Sequence, residues 1–242
     1  MKLRLQLLPL VSLGALVVFF WPFWMEPQVL GIGFGAVLAT LATLSLLAIT
    51  FLLLDGELLG AKQLAMLGTL AALGAAVRVG TGGVAGLELV FVVVILGGAA
   101  YGARFGFLLG SVTILVSSLF LGGIGSWTPF QVFATAWVGA GAALARQVTK
   151  KLRIPMLVGY GIFASYLFGL LMNLWFWPSA VGISSSLSYQ QQESVWSNLA
   201  SFLSFSLISS TLTWDTVRAV SVALVLGVFG RPALRALDRA KI

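Results

Sequence analysis

The residues best suited to chemistry are aromatic and polar side chains in three short segments. These segments are Gly122-Gly-Ile-Gly-Ser-Trp-Thr-Pro-Phe-Gln131, Asn173-Leu-Trp-Phe-Trp-Pro178 and Trp214-Asp-Thr-Val-Arg218. Aromatic rings offer flat faces to a ring-containing ligand, while amide, carboxylate and guanidinium groups supply directional hydrogen bonds. The pattern therefore predicts the binding of a small molecule with a ring system.

Covalent and metal chemistry are disfavoured by the residue types that the sequence lacks. It contains no Cys and no His, which removes thiolate and imidazole ligands and the commonest proton shuttle at neutral pH. It also lacks a His-Glu-x-x-His segment, a pair of Asp residues within the apolar runs, and a Ser with an obvious Lys or His base. We predict that the protein is not an enzyme and that it uses no catalytic cofactor and no metal.

Trp127, Phe130 and Trp137 are the predicted aromatic walls of the binding site, with Gln131 as a polar group just inside a helix. An aromatic belt at a membrane interface is the alternative explanation for such residues. The remaining candidate ligand contacts are Thr128, Asn173, Trp177, Arg78, Glu88, Asp215 and Arg218.

Several of these polar candidates also have structural explanations. Asn173 would be costly facing lipid, so it either meets the ligand or bonds a neighbouring helix. Asp215 and Arg218 lie three residues apart on one helical face, which favours a structural ion pair over ligand contact. Arg78 and Glu88 flank a glycine-rich connection and either close over the ligand or are solvated loop charges.

The elements that position these residues are predicted to be membrane-spanning helices. The chain is 60% hydrophobic and 9% charged, with a mean hydropathy of +1.06, far from the roughly 25% charged content of soluble domains. We predict an all-α integral membrane bundle with two N-terminal helices in residues 1–57 and a six-helix core in residues 58–242. The predicted spans lie near 5–25, 28–54, 60–77, 86–102, 105–123, 129–147, 155–177 and 207–230.

The distribution of positive charge orients these spans, because cytoplasmic connections retain Lys and Arg. Both termini are predicted to be cytoplasmic, with Glu26 and residues 78–88, 122–128 and 178–206 outside. The polar stretch 179–198 is predicted to form an external lid or linker, and nucleic-acid binding is not expected. The cations predicted on the inner side are Lys2, Arg4, Lys62, Arg104, Arg146, Lys150, Lys151, Arg153, Arg231, Arg235, Arg239 and Lys241.

Small residues at helical spacing mark the third predicted span. Such stripes let helices approach closely, either inside the bundle or against another membrane subunit. The second explanation requires the stripe to face lipid in the isolated chain. The stripe consists of Ala61, Ala65, Thr69, Gly68, Ala72 and Ala76.

Three features together resemble a substrate-binding S component of an energy-coupling factor transporter. They are this stripe, the glycine-spaced segment Gly98-Ala-Ala-Tyr-Gly-Ala-Arg-Phe-Gly-Phe-Leu-Leu-Gly110, and the entry to Trp127-Thr-Pro-Phe-Gln131. The resemblance covers roughly residues 60–242. The three aromatic and polar segments are similar to an actinobacterial subgroup often assigned cobalamin or related cofactor uptake.

The resemblance implies a bacterial plasma-membrane protein that captures a vitamin outside and passes it inward. The resemblance also implies a membrane coupling subunit and two ATPase subunits as partners. The sequence itself has no phosphate-binding Gly-x-x-x-x-Gly-Lys-Ser/Thr loop, so ATP hydrolysis by this chain is not expected. The small-residue stripe would be the docking face for the coupling subunit. The alternatives left open are a stand-alone secondary carrier and a structural membrane partner without a ligand.

Overall fold

The computed structural model describes residues 2–23, 41–46, 48–49, 52, 60–82, 84, 86–180, 185, 187–190 and 193–240. All the regular structure within these residues is helical. A short 3-10 helix follows α1 at Trp21–Phe23, and another follows α5 at Ala142–Arg146. The helices are α1 (Lys2–Phe19), α2 (Ala61–Thr81), α3 (Val90–Tyr101), α4 (Ala103–Ser118), α5 (Thr128–Gly141), α6 (Arg153–Ala180), α7 (Val195–Ser206) and α8 (Thr216–Arg239).

Within the part of the chain that the structure describes, three helices are long and apolar enough to cross a membrane. They are Ala61–Thr81, Arg153–Trp177 and the continuous stretch Val195–Arg239. Apolar segments also occur at Pro9–Phe19, Val90–Tyr101 and Ala103–Ser118, but each is shorter than the roughly 20 residues that a straight span needs. Gly102, with a φ of 105°, separates α3 from α4 at a sharp turn. The predicted all-helical class is confirmed, while the count of eight spans stays a prediction.

Glycine contacts hold α3, α4 and α5 together. A methyl group added at Gly98 or at Gly106 would overlap the carbonyl oxygen of Gly139 on α5. One turn further along α4, a methyl group at Gly110 would meet the carbonyl carbon of Thr135 at 2.7 Å. Only glycine lets the three helices approach each other so closely. The regularly spaced glycines of the segment 98–110 therefore lie at a tightly packed centre of these helices.

The C-terminal part differs from the prediction of a lid followed by a span at 207–230. Residues 179–180 continue α6, and α7 begins at Val195, where the Ser194 hydroxyl accepts a hydrogen bond from the Ser197 N–H at 3.1 Å. From there the chain remains helical for 45 residues. The prediction of a lid or linker over 179–198 was therefore wrong for residues 195–198, because the N-terminal Ser cap starts a helix that runs into the predicted span.

Helix α1 packs its C-terminal end against the core. The Phe19 ring lies 5.0 Å from the Phe130 ring and 5.6 Å from the Trp137 ring. Residues 41–46 and 48–49 are helical within the second predicted span, and most of that span lies outside the described residues. The predicted domain boundary at residue 57 also lies outside them.

Candidate functional site

Arg218 occupies the centre of a buried ionic cluster. Its guanidinium donates to the Asp215 carboxylate at 2.8 Å, to the Ser165 carbonyl at 2.9 Å and to the Glu88 carboxylate. Asp215 is 1% exposed and Arg218 is 6% exposed. The cluster therefore links α8 to α6 and to the segment that precedes α3.

Aromatic rings and a glycine shape the space around this ion pair. The Arg218 guanidinium carbon lies 4.9 Å from the Phe168 ring centroid and 5.6 Å from that of Phe91, both within the range of a cation–π contact. The Asp215 carboxylate lies directly over Gly169 of α6, where any side chain would overlap it. The predicted Asp215–Arg218 ion pair is confirmed, and Gly169 provides the room for it.

A π-helical segment, Leu207–Asp215, connects α7 to α8 and extends the cluster. The Ser210 hydroxyl donates to Asp215 at 2.9 Å, and the Asn173 amide donates to Ser210 at 2.6 Å and to Ser206 at 2.8 Å. Asn173 thus bonds a neighbouring helix, as one of its two predicted explanations required. The bonded atoms form an unbroken polar chain from α6 to Arg218.

Arg78 joins the ends of α2, α4 and α5. It donates to the Ser117 hydroxyl at 2.8 Å and to the Gln131 side-chain oxygen at 3.0 Å. Glu88 also lies close enough to interact electrostatically with Arg78. Because Arg78 is half-buried and hydrogen-bonded, the alternative that it is a solvated loop charge was wrong.

The charged and amide side chains predicted to bind a ligand form two hydrogen-bonded groups, Arg78 with Gln131 and Arg218 with Glu88, Asp215 and, through Ser210, Asn173. Glu88 also interacts electrostatically with Arg78, and the Glu88 side chain remains 34% exposed. The two groups together are called the polar network. The network can present both a carboxylate and, through Arg78 and Gln131, hydrogen-bond donors to a polar solute. Its members are Arg78, Glu88, Gln131, Asn173, Asp215 and Arg218.

The predicted aromatic walls pack against other aromatic rings. Phe130 is 1% exposed and lies between Phe19 and Trp175, whose ring centroid is 5.1 Å away. Trp137 is half-buried and contacts Phe19 and Phe133. The Phe19 ring of α1 therefore lies against the two aromatic rings that were predicted to contact a ring-containing ligand.

Trp177, one of the predicted ligand contacts, is fully buried among other side chains. Its indole N–H donates to the Leu187 carbonyl at 2.7 Å, and its ring lies 6.0 Å from Phe23 and 5.7 Å from Tyr189. These contacts tie the segment after α6 to the 3-10 helix after α1. A second aromatic cluster thus lies beside the first.

Trp127 and Thr128 begin α5 in different environments. The Trp127 ring lies over Gly125 and is 40% exposed, which leaves it available to a ligand. The Thr128 hydroxyl is buried and accepts a hydrogen bond from the Gly125 N–H at 2.9 Å. Thr128 therefore shapes the turn before α5, and Trp127 is the accessible aromatic side chain of this segment.

Contributors to the site that sequence reasoning missed include Phe19, Phe23, Ser117, Ser206 and Ser210. The two Phe residues end an apolar run, where an aromatic belt at a membrane interface is the usual explanation. The Ser residues lie in apolar helices, where hydroxyls commonly bond backbone carbonyls. A spacing of five residues between polar side chains, as from Ser210 to Asp215, was the available signal for the π-helical segment.

The small-residue stripe of α2 lies on the exposed surface of the bundle. Other residues of the same helix, including Leu67, Ala71 and Ala75, are buried instead. A side chain at Gly68 would meet nothing within 4 Å. The alternative that the stripe packs inside the chain was therefore wrong, since every one of its residues is exposed: Ala61, Ala65, Gly68, Thr69, Ala72 and Ala76.

Comparison with protein-family models, with curated proteins and with solved structures finds no match to this chain. Among the described residues, no group of three or more Asp, Glu, His or Cys side chains is placed to hold a metal ion. The site is thus an ionic and amide network beside aromatic clusters, in which the Trp127 ring and the Glu88 carboxylate are accessible.

Proposed function

We propose that the protein is the substrate-binding S component of an energy-coupling factor importer for a ring-containing vitamin or cofactor. The observation that carries this proposal is the exposed small-residue stripe of α2. Small residues let two membrane helices approach until their backbones touch, so an exposed stripe of this kind suits docking onto a coupling subunit. Two ATPase subunits would then supply the energy that this chain cannot.

The polar network and Trp127 support the binding half of the proposal. Trp127 offers an exposed ring face, and Gln131, which is bonded to Arg78, lies one helical turn further along α5. A ligand with a ring system and a polar edge could stack on Trp127 and form hydrogen bonds with Gln131 and Arg78. Cobalamin is one candidate of this class.

The ion pair argues against the rival proposal of a stand-alone secondary carrier. A carrier needs a coupling-ion site near mid-membrane, and Asp215 is the acidic residue placed for it. Its carboxylate is instead bonded to Arg218 and to Ser210. A cation would have to displace both partners, whereas an ATP-driven importer requires no such exchange.

Small molecules released from the purified protein provide the first test. Mass spectrometry of wild-type protein is expected to find a ring-containing cofactor. Its amount should fall about fivefold in Trp127→Ala and Gln131→Ala proteins, since one aromatic contact or one hydrogen bond contributes about 1 kcal/mol.

Trp196→Ala is the matched control, because Trp196 is also exposed but lies on α7, away from the network. All variants must unfold at the wild-type temperature to be compared. Equal loss in the control, or wild-type protein that releases no cofactor, would count against high-affinity capture.

Docking is tested by adding bulk to the stripe. Gly68→Leu is expected to reduce co-purification of a co-expressed coupling subunit by about tenfold, because even a small increase in separation removes the close backbone contact. Ligand binding should remain at the wild-type level.

Gly227→Leu is the matched control for this experiment. Gly227 is likewise an exposed helical glycine, and a side chain there also meets nothing within 4 Å. Normal docking of the Gly68→Leu protein, or equal losses in both proteins, would contradict assignment of the stripe as the docking face.

A further inference from the structure

A basic cavity lies at the opposite end of α6 and α8 from the polar network. Its volume is about 670 Å³, and it is bounded by the segment before α6, the first turn of α6 and the last turns of α8. Six cationic side chains and one carboxylate line it, together with Ile154 and Leu234. The charged lining residues are Lys150, Lys151, Arg153, Arg231, Arg235, Asp238 and Arg239.

The carboxylate in the cavity has its own cationic partner. Asp238 accepts a hydrogen bond from Arg153 at 3.3 Å, and Arg153 also donates to the Ala99 carbonyl. Within the described part of the chain, the side chains of Lys150, Lys151, Arg231 and Arg235 form no hydrogen bond or ion pair. Most of the positive charge in the cavity is therefore uncompensated.

A phosphate group has the chemistry to compensate this charge. Its oxygens accept several hydrogen bonds at once, and the planar guanidinium of Arg binds them in pairs. Like charges gathered in one cavity repel each other, so an anion that contacts several of them relieves that repulsion. The cavity thus selects a phosphate-bearing ligand over a neutral one.

The apolar surface beside the cavity indicates where this phosphate comes from. Val220, Leu224 and Val228 are exposed at intervals of four residues along α8. The same helical face continues directly to Arg231 and Arg235. A molecule that lies along this face meets an apolar strip first and the cationic cavity at its end.

We propose that this cavity binds the headgroup phosphate of an anionic phospholipid whose acyl chains lie along the apolar face of α8. Basic pockets at the cytoplasmic side of membrane helices bind anionic headgroups in this manner. The positive-inside distribution places the cavity in the inner leaflet. The inference requires only that α8 crosses a membrane, and it does not depend on the proposed transport function.

The test measures lipid binding to the full chain after its native lipids have been exchanged for a non-ionic detergent. Native mass spectrometry would follow titration with phosphatidylglycerol and with phosphatidylcholine of the same acyl chains. Phosphatidylglycerol is expected to bind at least about tenfold more tightly, since the cavity carries uncompensated positive charge. An Arg231→Gln/Arg235→Gln protein should lose about thirtyfold in this affinity, because each Arg contributes a factor of about five.

Lys62→Gln/Arg104→Gln is the matched control, since it removes two charges from the same predicted face but outside the cavity. Its affinity should stay within about twofold of wild type. Equal binding of the two lipids, or equal losses in the two double variants, would overturn the proposal.

Titration with inorganic phosphate separates the two sources of the anion. If inorganic phosphate binds as tightly as phosphatidylglycerol, the cavity is a site for a soluble phosphate compound, and the proposal of a lipid headgroup is overturned. Failure of both ligands to bind would overturn phosphate recognition altogether and favour an acidic protein segment as the occupant.

Discussion

An Arg218→Gln protein is expected to lose about 3–5 kcal/mol of stability, because it leaves the buried carboxylate of Asp215 without a cation. Ser210 alone would then bond that carboxylate, at a position that is 1% exposed. The contacts of Arg218 with Ser165, Phe91 and Phe168 would also be lost. Thermal unfolding in detergent, followed by tryptophan fluorescence, would record the change as a large fall in midpoint temperature.

Neutralising both members of the pair identifies the cause of this loss. An Asp215→Asn/Arg218→Gln protein should recover part of the stability, since no unpaired charge remains buried. Asp238→Asn is the comparison for an ion pair at an exposed site, where the carboxylate is 43% exposed, and it should cost at most about 1 kcal/mol. If the double variant is as unstable as the Arg218→Gln protein, the loss of stability comes from the other contacts of Arg218 and not from the unpaired Asp215 carboxylate.

A Gly139→Ala substitution is the second change with a large expected effect. The added methyl group would overlap the backbone carbonyl of Gly106 and meet Val94 at 2.9 Å, so α4 and α5 would have to separate. Overpacking of this kind costs typically about 1–3 kcal/mol, and the Gly106 backbone cannot rotate away as a flexible side chain could. We expect a lower unfolding temperature and a reduced yield of folded protein.

Gly159→Ala is the control for the loss of a helical glycine. Gly159 is exposed on α6, and a methyl group there meets nothing within 4 Å. The substitution should be neutral or stabilise the helix by up to about 1 kcal/mol, because Ala restricts the unfolded backbone. If Gly139→Ala behaved in the same way, the close packing of α4 on α5 would be contradicted.

The helical class and much of the polar site could be predicted because they depend on local patterns. Apolar runs fix the helices, and the three-residue spacing of Asp215 and Arg218 predicts their ion pair. The glycines of α3 and α4 were noted for their spacing, and the structure places them against Gly139. In each case the pattern lies within one or two helices.

Features that depend on contacts between distant segments could not be predicted. Phe19 lies at the end of an apolar run, and nothing local indicates that its ring reaches Phe130, more than a hundred residues later in the chain. The same holds for Arg78 and its bonds to Ser117 and Gln131. Polarity of the stretch 179–198 obscured the start of α7, because hydropathy does not register a Ser cap.

The placement of Phe19 changes how ligand entry must be understood. A ring-containing solute that stacks on Phe130 or Trp137 would have to share or displace the Phe19 ring. Trp127 needs no such displacement because its ring is exposed. This difference is why the Trp127→Ala protein is the sharper test of the proposed binding site.

The π-helical segment sets the rotational phase between α7 and α8. Hydrogen bonds from residue i to i+5 give each turn about one residue more than an α-helix has, so side chains five apart become neighbours. Two such rows are present: Ser206 with Thr211 and Thr216, and Ser210 with Asp215. In ordinary α-helical winding, side chains five residues apart would lie about 140° apart around the helix axis, and Asp215 would point away from Ser210. The wider winding of this segment, and not only its composition, therefore keeps Asp215 facing Ser210.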